Sequence, residues 1–260
     1  VNPGARPSVS VVIPVRDDAP ALAACLERLS CQTLRPLEVV VVDNASSDDT
    51  ARVAWAHGAR LVAEPRVGIA AAAARGYDAA RGDVIVRCDA DTVGGRGWLE
   101  RLVAPLAADP ALDAVTGLGW FHDLPRGSRH LTAAAYLGAY YLATHLALGH
   151  TSLWGSNMAL RRSSWDAVRD DVHRTDAEIH DDLDLAFALG PEARIRLVPV
   201  GVGVSARSLR GRRQRRRRLD RALRTLRLNW AVRPPWLRWR DRYQPIVAQM
   251  SSWVTKNPVR

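Results

Sequence analysis

Val39-Val40-Val41-Val42-Asp43-Asn44-Ala45-Ser46-Ser47-Asp48-Asp49-Thr50 decides the architecture. Four consecutive β-branched residues read as a strand buried on both faces, and the polar cluster behind them reads as a turn that starts a helix. That helix begins at Ala51 and runs at least to Ala56. Upstream, Val9-Ser10-Val11-Val12-Ile13 forms another apolar run, broken by Pro14 and followed by the polar Arg16-Asp17-Asp18. Ala21 to Leu29 supplies a helix between the two strands. Strand, helix, strand, helix is the order of a parallel sheet covered on both faces.

Val84-Ile85-Val86-Arg87-Cys88-Asp89-Ala90-Asp91 repeats the theme and adds chemistry. A short strand ends in two carboxylates separated by one small residue. Alternation along an extended chain sends residues i and i+2 to the same side, so Asp89 and Asp91 can face one divalent cation. Carboxylate pairs also occur in ordinary solvated turns, so the context matters. In open α/β sheets ligands collect beyond the carboxyl ends of the strands. Asp17, Asp43 and the Asp89/Asp91 pair all follow strand ends, which predicts an acidic edge.

Taken together these segments resemble the family 2, GT-A type glycosyltransferases. The resemblance is carried by Val11-Val12-Ile13-Pro14-Val15, the stretch Val40 to Thr50, and Asp89-Ala90-Asp91. Gly155-Ser156-Asn157-Met158-Ala159-Leu160-Arg161-Arg162 is similar to the family's acceptor-side segment, and Asp181-Asp182-Leu183-Asp184-Leu185 to the segment that supplies its catalytic base. The implied fold class is α/β, a mostly parallel Rossmann-like GT-A sheet flanked by helices.

The resemblance implies roles residue by residue. Pro14, Asp17 and Asp43 would hold the nucleoside of a nucleotide-diphospho-sugar donor, with Asp43 the strongest of them. A capping role for Asp43 in its turn is the competing account. Ser46 and Asp48 are expected to fix that turn. Arg75, in a segment that follows Gly68, would reach the pyrophosphate; a helix-surface ion pair explains it equally well. Asp91 would ligate the metal directly, with Asp89 contacting the metal, ribose or bound water. All-oxygen ligands select Mg²⁺ or Mn²⁺ over zinc. A further family ligand is commonly His, and Val198 to Arg207 contains none. Trp154, Gly155, Ser156, Asn157 and Asp181 stand on the acceptor side.

Inverting transfer needs one carboxylate to deprotonate the acceptor hydroxyl while its oxygen attacks the anomeric carbon. Asp182 matches the base position. If Asp181 to Leu189 is helical, both acidic residues sit at its N-terminus, where the dipole favours an ionised carboxylate. An acidic first helical turn is the structural alternative.

Charge is divided unevenly along these 260 residues, whose formal net charge is +10. Residues 1 to 206 hold 25 acidic side chains against 20 arginines, and residues 207 to 260 hold 17 basic against two acidic, so the excess lies in the tail. We therefore expect a catalytic domain over 1–206 and a basic, Trp-containing extension over 207–260. Leu219, Leu223, Leu226 and Trp230 recur near helical spacing, with Trp236, Trp239, Tyr243 and Trp253 beyond. A basic amphipathic helix with tryptophans reads as an anionic membrane surface binder, beside a lipid-linked acceptor. Packing of this helix on the catalytic domain, and nucleic-acid binding, are the competing readings; nothing else in the chain reads bases.

Leu131 to Gly149 is uncharged, yet three tyrosines, two threonines and His145 make it wetter than a membrane span, so an amphipathic helix over the acceptor cleft is expected. His122, His130, His150, His173 and His180 lack tight ligand spacing, although His180 adjoins the proposed base. Cys25, Cys31 and Cys88 are odd in number and unsuited to disulfides or zinc. No basic-then-apolar leader opens the sequence, and the expected location is cytoplasmic, peripheral on the inner membrane face. Nucleotidyl transfer also uses carboxylate-bound Mg²⁺, but the chain offers no lysine-bearing phosphate loop and one lysine, Lys256. A degenerate transferase serving as a membrane or nucleic-acid binding module is the non-enzymatic alternative.

Overall fold

A computed structural model describes residues 6–244. Seven strands form one sheet in the order β3-β2-β1-β4-β6-β5-β7. These are β1 (Val9–Val15), β2 (Glu38–Asp43), β3 (Arg60–Ala63), β4 (Val84–Arg87), β5 (Ala114–Phe121), β6 (Met158–Arg161) and β7 (Ile195–Val204). β1 pairs in parallel with β2 and β4, and β2 with β3. β6 alone is reversed, antiparallel to both β4 and β5, while β5 and β7 run parallel.

Pro14 does not break β1, contrary to the expectation. It continues the strand opposite Val42, and β4 pairs with β1 only from Val9 to Val12, so the missing N–H leaves no ladder acceptor stranded.

Two helical layers cover the sheet. On α1 (Ala19–Ser30), Leu22, Cys25, Leu26 and Leu29 are buried at helical spacing and join the core beneath β1 and β4. Each fully buried leucine contributes about 1.5–3 kcal/mol relative to exposure. α2 (Thr50–Ala56) and α4 (Trp98–Ala108) complete that layer. On the other face, α3 (Ile69–Ala79) lies so close to the sheet that a Cβ on Gly76 would meet Val12 Cγ1 at 2.3 Å and Val42 Cγ2 at 2.8 Å. α6 (Arg162–Val168) and α7 (Asp181–Ala188) lie near it.

α5 (Arg129–Leu148) is the helix expected over the cleft, and it ends on Gly149 at φ 83°. Among the described residues no helix is long and apolar enough to cross a membrane. A short 3-10 turn (Ala206–Leu209) links β7 to α8 (Arg212–Val232).

Candidate active site

Beyond the carboxyl ends of β1 and β4, the segment before β6, the N-terminus of α7 and the turn after β7 enclose a cleft of about 350 Å³. Asp89, Asp91, Gly155, Ser156, Asp181 and Asp182 all line it, as do Pro14 and Trp154. Residues 91 positions apart thus face one hollow, Asp91 from behind β4 and Asp182 from the first turn of α7.

The floor is organised by Arg87. This last residue of β4 is only 4% exposed, and a buried guanidinium must find carboxylates. Its Nη1 donates to Asp181 Oδ2, and its Nη2 lies 3.4 Å from Asp89 Oδ1. Gly155 makes room for it, since a Cβ there would sit 2.1 Å from Arg87 Nη1. Burial pushes the Asp181 carboxyl up to about 6, Arg87 opposes that rise, and Asp182 and Asp89 add to it. Arg87 Nε and the Tyr77 hydroxyl are buried with no hydrogen-bond partner among the described residues.

Asp89 is held on both oxygens, one by Arg87 and the other by Ser156 Oγ at 2.5 Å. Its backbone N–H donates to Thr92 Oγ1 at 3.0 Å. Asp91 keeps more freedom: Oδ2 lies 3.3 Å from Arg207 Nη2. Burial raises the Asp91 carboxyl above its ordinary value, Asp89 adds to this, and Arg207 pulls it back. No group of three or more His, Cys, Asp or Glu is arranged for metal binding among the described residues. Two carboxylates on a cleft wall nevertheless fit Mg²⁺ or Mn²⁺, which commonly take one or two carboxylates and complete their shells with water and substrate phosphate.

Asp182 differs from its neighbour. Its Oδ2 accepts from Gly155 N at 2.9 Å and its Oδ1 from Leu183 N at 2.8 Å, so backbone groups rather than a guanidinium orient it. His180 Nδ1 stands 4.0 Å away, and burial lowers the imidazole's proton affinity. The acidic first turn of α7 is divided accordingly. Asp181 goes to Arg87, Asp182 faces the cleft, and Asp184 turns inward to accept from His173 N at 2.7 Å and Asn229 Nδ2 at 2.9 Å.

Four candidate site residues, Asp17, Asp43, Arg75 and Asn157, are not among those lining the cleft. Asp17, at φ 50°, turns to accept from Ser47 N at 2.7 Å, and Asp18 lines the cleft in its place. Asp43 Oδ1 accepts from Ser46 N at 2.9 Å within the turn after β2, and it does not cap α2, whose N-cap is Asp49. Asp48 accepts from Ala19 N and Thr50 N, so it braces the turn as expected. Arg75 is exposed on α3, away from the cleft-lining residues. Asn157 is fully buried: its amide donates to Leu118 O and Val200 O, and its oxygen accepts from Trp98 Nε1. It staples β5, β7 and α4 together. Trp154 is 8% exposed with its ring seated over Gly119, so it shapes the wall more than it offers a stacking face.

Asn44 replaces its neighbour Asp43 as the organiser of the β2 end. Its Nδ2 donates to Glu64 O and Arg66 O, and its Oδ1 accepts from Gly68 N. It also lines an adjoining chamber of about 260 Å³ with Gly68, Arg217 and Arg221, which shares Pro14, Val15, Arg16 and Ile69 with the main cleft.

One face of α8 packs on the segment between α6 and α7. Arg217 and Arg221 pair with Glu178 at 2.8 and 3.4 Å, and Arg224 pairs with Asp176 at 2.7 Å. Thr225 Oγ1 accepts from His180 N at 2.9 Å. This face therefore grips the segment leading into Asp181 and Asp182. Arg212, Arg213, Arg215, Arg216, Leu219 and Leu223 remain exposed on α8. Trp239 lies against α5, donating to Leu146 O at 2.9 Å and stacking on Tyr243. Trp253 lies outside the described residues.

Asp18, Arg87, Tyr136, Tyr140, Arg207 and Arg218 also line the cleft and were not singled out from the sequence. Only Arg87 left a signal, a lone charge within an apolar strand.

A model of the family described as Glycosyl transferase family 2 matches residues 10–169. An uncharacterized glycosyltransferase of Mycobacterium tuberculosis is 35% identical over 143 residues, 55% of this chain and 61% of that protein. The undecaprenyl-phosphate 4-deoxy-4-formamido-L-arabinose transferase of Klebsiella pneumoniae is 38% identical over 117 residues, 41% of this chain and 35% of that one. The chain thus spans less than two thirds of each of these relatives. A mannosyltransferase from Pyrobaculum calidifontis, solved with GDP-Man and Mn²⁺, superposes with a TM-score of 0.67 at 21% identity, covering 99% of this chain and 78% of that one. Glucosyl-3-phosphoglycerate synthase from Mycobacterium tuberculosis, solved with UDP, gives 0.62 at 21% identity over 86% and 80%. At such identities the two structures establish a shared fold.

Proposed function

The chain belongs to glycosyl transferase family 2, and from that premise we propose that it transfers a sugar, with inversion, from a nucleoside-diphosphate donor to an acceptor hydroxyl or a lipid-linked phosphate. The observation that carries the reading is the convergence of Asp89, Asp91 and Asp182 on one cleft. Donors of this class are supported by the neighbours solved with GDP-Man and Mn²⁺ and with UDP. A lipid-linked phosphate is supported by the relative named for undecaprenyl phosphate.

The chain's own groups then divide the work. Asp91 and Asp89 would hold Mg²⁺ or Mn²⁺, which supplies charge stabilisation to the departing diphosphate. Pro14, shared by the cleft and the adjoining chamber, and Asn44 and Gly68 of that chamber would give the nucleoside a slot beside the diphosphate. Asp182, oriented by Gly155 N, takes the acceptor's proton. Asp181 neutralises Arg87, and Arg87 in turn steadies Asp89, so the two halves of the site share one buried cation. Ser156 and Gly155 tie the acceptor-side segment to both carboxylates.

The exposed face of α8, with Arg212, Arg213, Arg216, Leu219 and Leu223, suits an anionic lipid surface, as does Trp236 at 69% exposure. A peripheral position there would present the cleft to a lipid-linked acceptor. The direct test of the whole reading is a panel of UDP-, GDP- and dTDP-sugars with Mn²⁺, scored by stabilisation against heat and by release of nucleoside diphosphate. A single responding nucleotide is expected, and release of pyrophosphate would refute the assignment.

A further inference from the structure

Arg207 lines the cleft between two acidic residues that follow neighbouring parallel strands, Asp18 after β1 and Asp91 after β4. One guanidinium nitrogen, Nη2, lies 2.5 Å from Asp18 Oδ2 and 3.3 Å from Asp91 Oδ2. The backbone beneath it is pinned. Ser205 Oγ accepts from Arg207 N at 3.1 Å and donates to Asp123 Oδ2 at 2.7 Å, while Ala206 N donates to Asp123 Oδ1 at 2.8 Å. The end of β7 is further locked to the Asp91 loop, where Val93 and Gly203 exchange both backbone hydrogen bonds at 2.8 and 2.9 Å.

The side chain itself is not pinned in this way. It is 59% exposed, and pairs at such exposure add little to stability because water and salt screen them. A rigid base carrying a solvent-exposed guanidinium is poorly suited to bracing the fold and well suited to exchanging anionic partners. Asp91 is the carboxylate on which the donor site's cation depends, so any cation that takes Asp91 Oδ2 must displace Arg207 from it. Once displaced, Arg207 still faces the cleft, and a guanidinium fork matches the oxygens of a diphosphate.

We propose that Arg207 is a resident counter-cation of the donor site, holding Asp91 and Asp18 in the free protein and turning to the donor's diphosphate when a divalent cation binds Asp91. This rests on the donor-site reading given above. It makes two opposite demands of one residue. Arg207 opposes the binding of metal alone and favours the binding of nucleotide alone, whereas a merely structural residue would weaken both.

The test uses the full chain and its Arg207→Ala, Arg207→Gln and Arg207→Lys variants, with circular dichroism to show that each is folded. Free Mn²⁺ is titrated by electron paramagnetic resonance without nucleotide, and UDP and GDP are titrated by calorimetry first without metal and then with it. Arg207→Ala and Arg207→Gln are expected to bind Mn²⁺ alone at least about fivefold more tightly, and the preferred nucleoside diphosphate without metal at least about fivefold more weakly, the lower bound of an ordinary coupling between sites. Arg207→Lys should lie between, since its charge persists without the fork. An unchanged or weakened Mn²⁺ affinity, or an unchanged metal-free nucleotide affinity, overturns the role of Arg207 while leaving the donor site intact. Failure of the unaltered protein to bind either nucleotide with Mn²⁺ overturns the donor-site reading and this role together.

Discussion

Arg87 and Asp181, 94 residues apart in the chain, form a buried ion pair under the cleft, with side chains 4% and 13% exposed. The same guanidinium faces Asp89, so one cation joins carboxylates from the end of β4 and the start of α7. The pair's consequences are measurable.

Replacing Arg87 with Met leaves Asp181 without its cation in a dry setting. Removing one partner of a buried pair costs about 3–5 kcal/mol, to be read from urea unfolding. Adding Asp181→Asn should recover part of that loss, so the double variant is expected to be more stable than the sum of the singles implies.

Gly155→Ala drives a Cβ into the space of Arg87 Nη1, 2.1 Å away. Overpacking of this kind costs about 1–3 kcal/mol, and transfer should fall as Asp182 loses its hold on Gly155 N. Gly127→Ala, where nothing lies within 4 Å, is the control and should match the unaltered protein in melting temperature and rate.

Asp182→Asn would remove the proposed base and spare Asp89 and Asp91. The turnover number is expected to drop by about 10²–10⁴-fold, with nucleoside-diphosphate affinity in the presence of Mn²⁺ unchanged. A turnover number near that of the unaltered protein would dismiss Asp182 as base.

Asp181 sets a pH signature. Its folded value of about 6 lies above the ordinary 3.8, so the native state holds this proton more tightly than the unfolded chain does. Its contribution to stability is therefore fully present below 3.8 and is lost as pH rises through about 6. Over that window the stability difference between the unaltered protein and Asp181→Asn should shift against the unaltered protein as pH rises. Activity should move the other way, rising as Asp181 ionises and neutralises Arg87.

Charge on the outer face of α8 should govern lipid binding. Changing Arg212, Arg213 and Arg216 to Ala should weaken sedimentation with phosphatidylserine vesicles by about 1 kcal/mol for each arginine. Neutral vesicles should bind all forms weakly, and equal binding of the triple variant to anionic vesicles would remove the lipid surface from the proposal.

Strands β1, β2 and β4, helices α1 and α2, and the carboxylates after β4 and at the start of α7 were legible in the primary structure, because strand and helix periodicity and turn chemistry are local properties. Thus Val39–Val42 read directly as a buried strand and Asp181 onward as a helix, both as found. Local reading also misled. Asp17 and Asp18 are indistinguishable as neighbours in a polar turn, and a single positive φ at Asp17 decides which one meets the cleft. Asn157 sits in a segment that resembles an acceptor-side motif, yet the close approach of β5 and β7 claims its amide. Arg87, Arg207 and the inner face of α8 acquire their roles only across long sequence separations. Partner choice for a charge depends on which carboxylates the fold leaves within a few ångströms and out of water, and tertiary packing alone determines that.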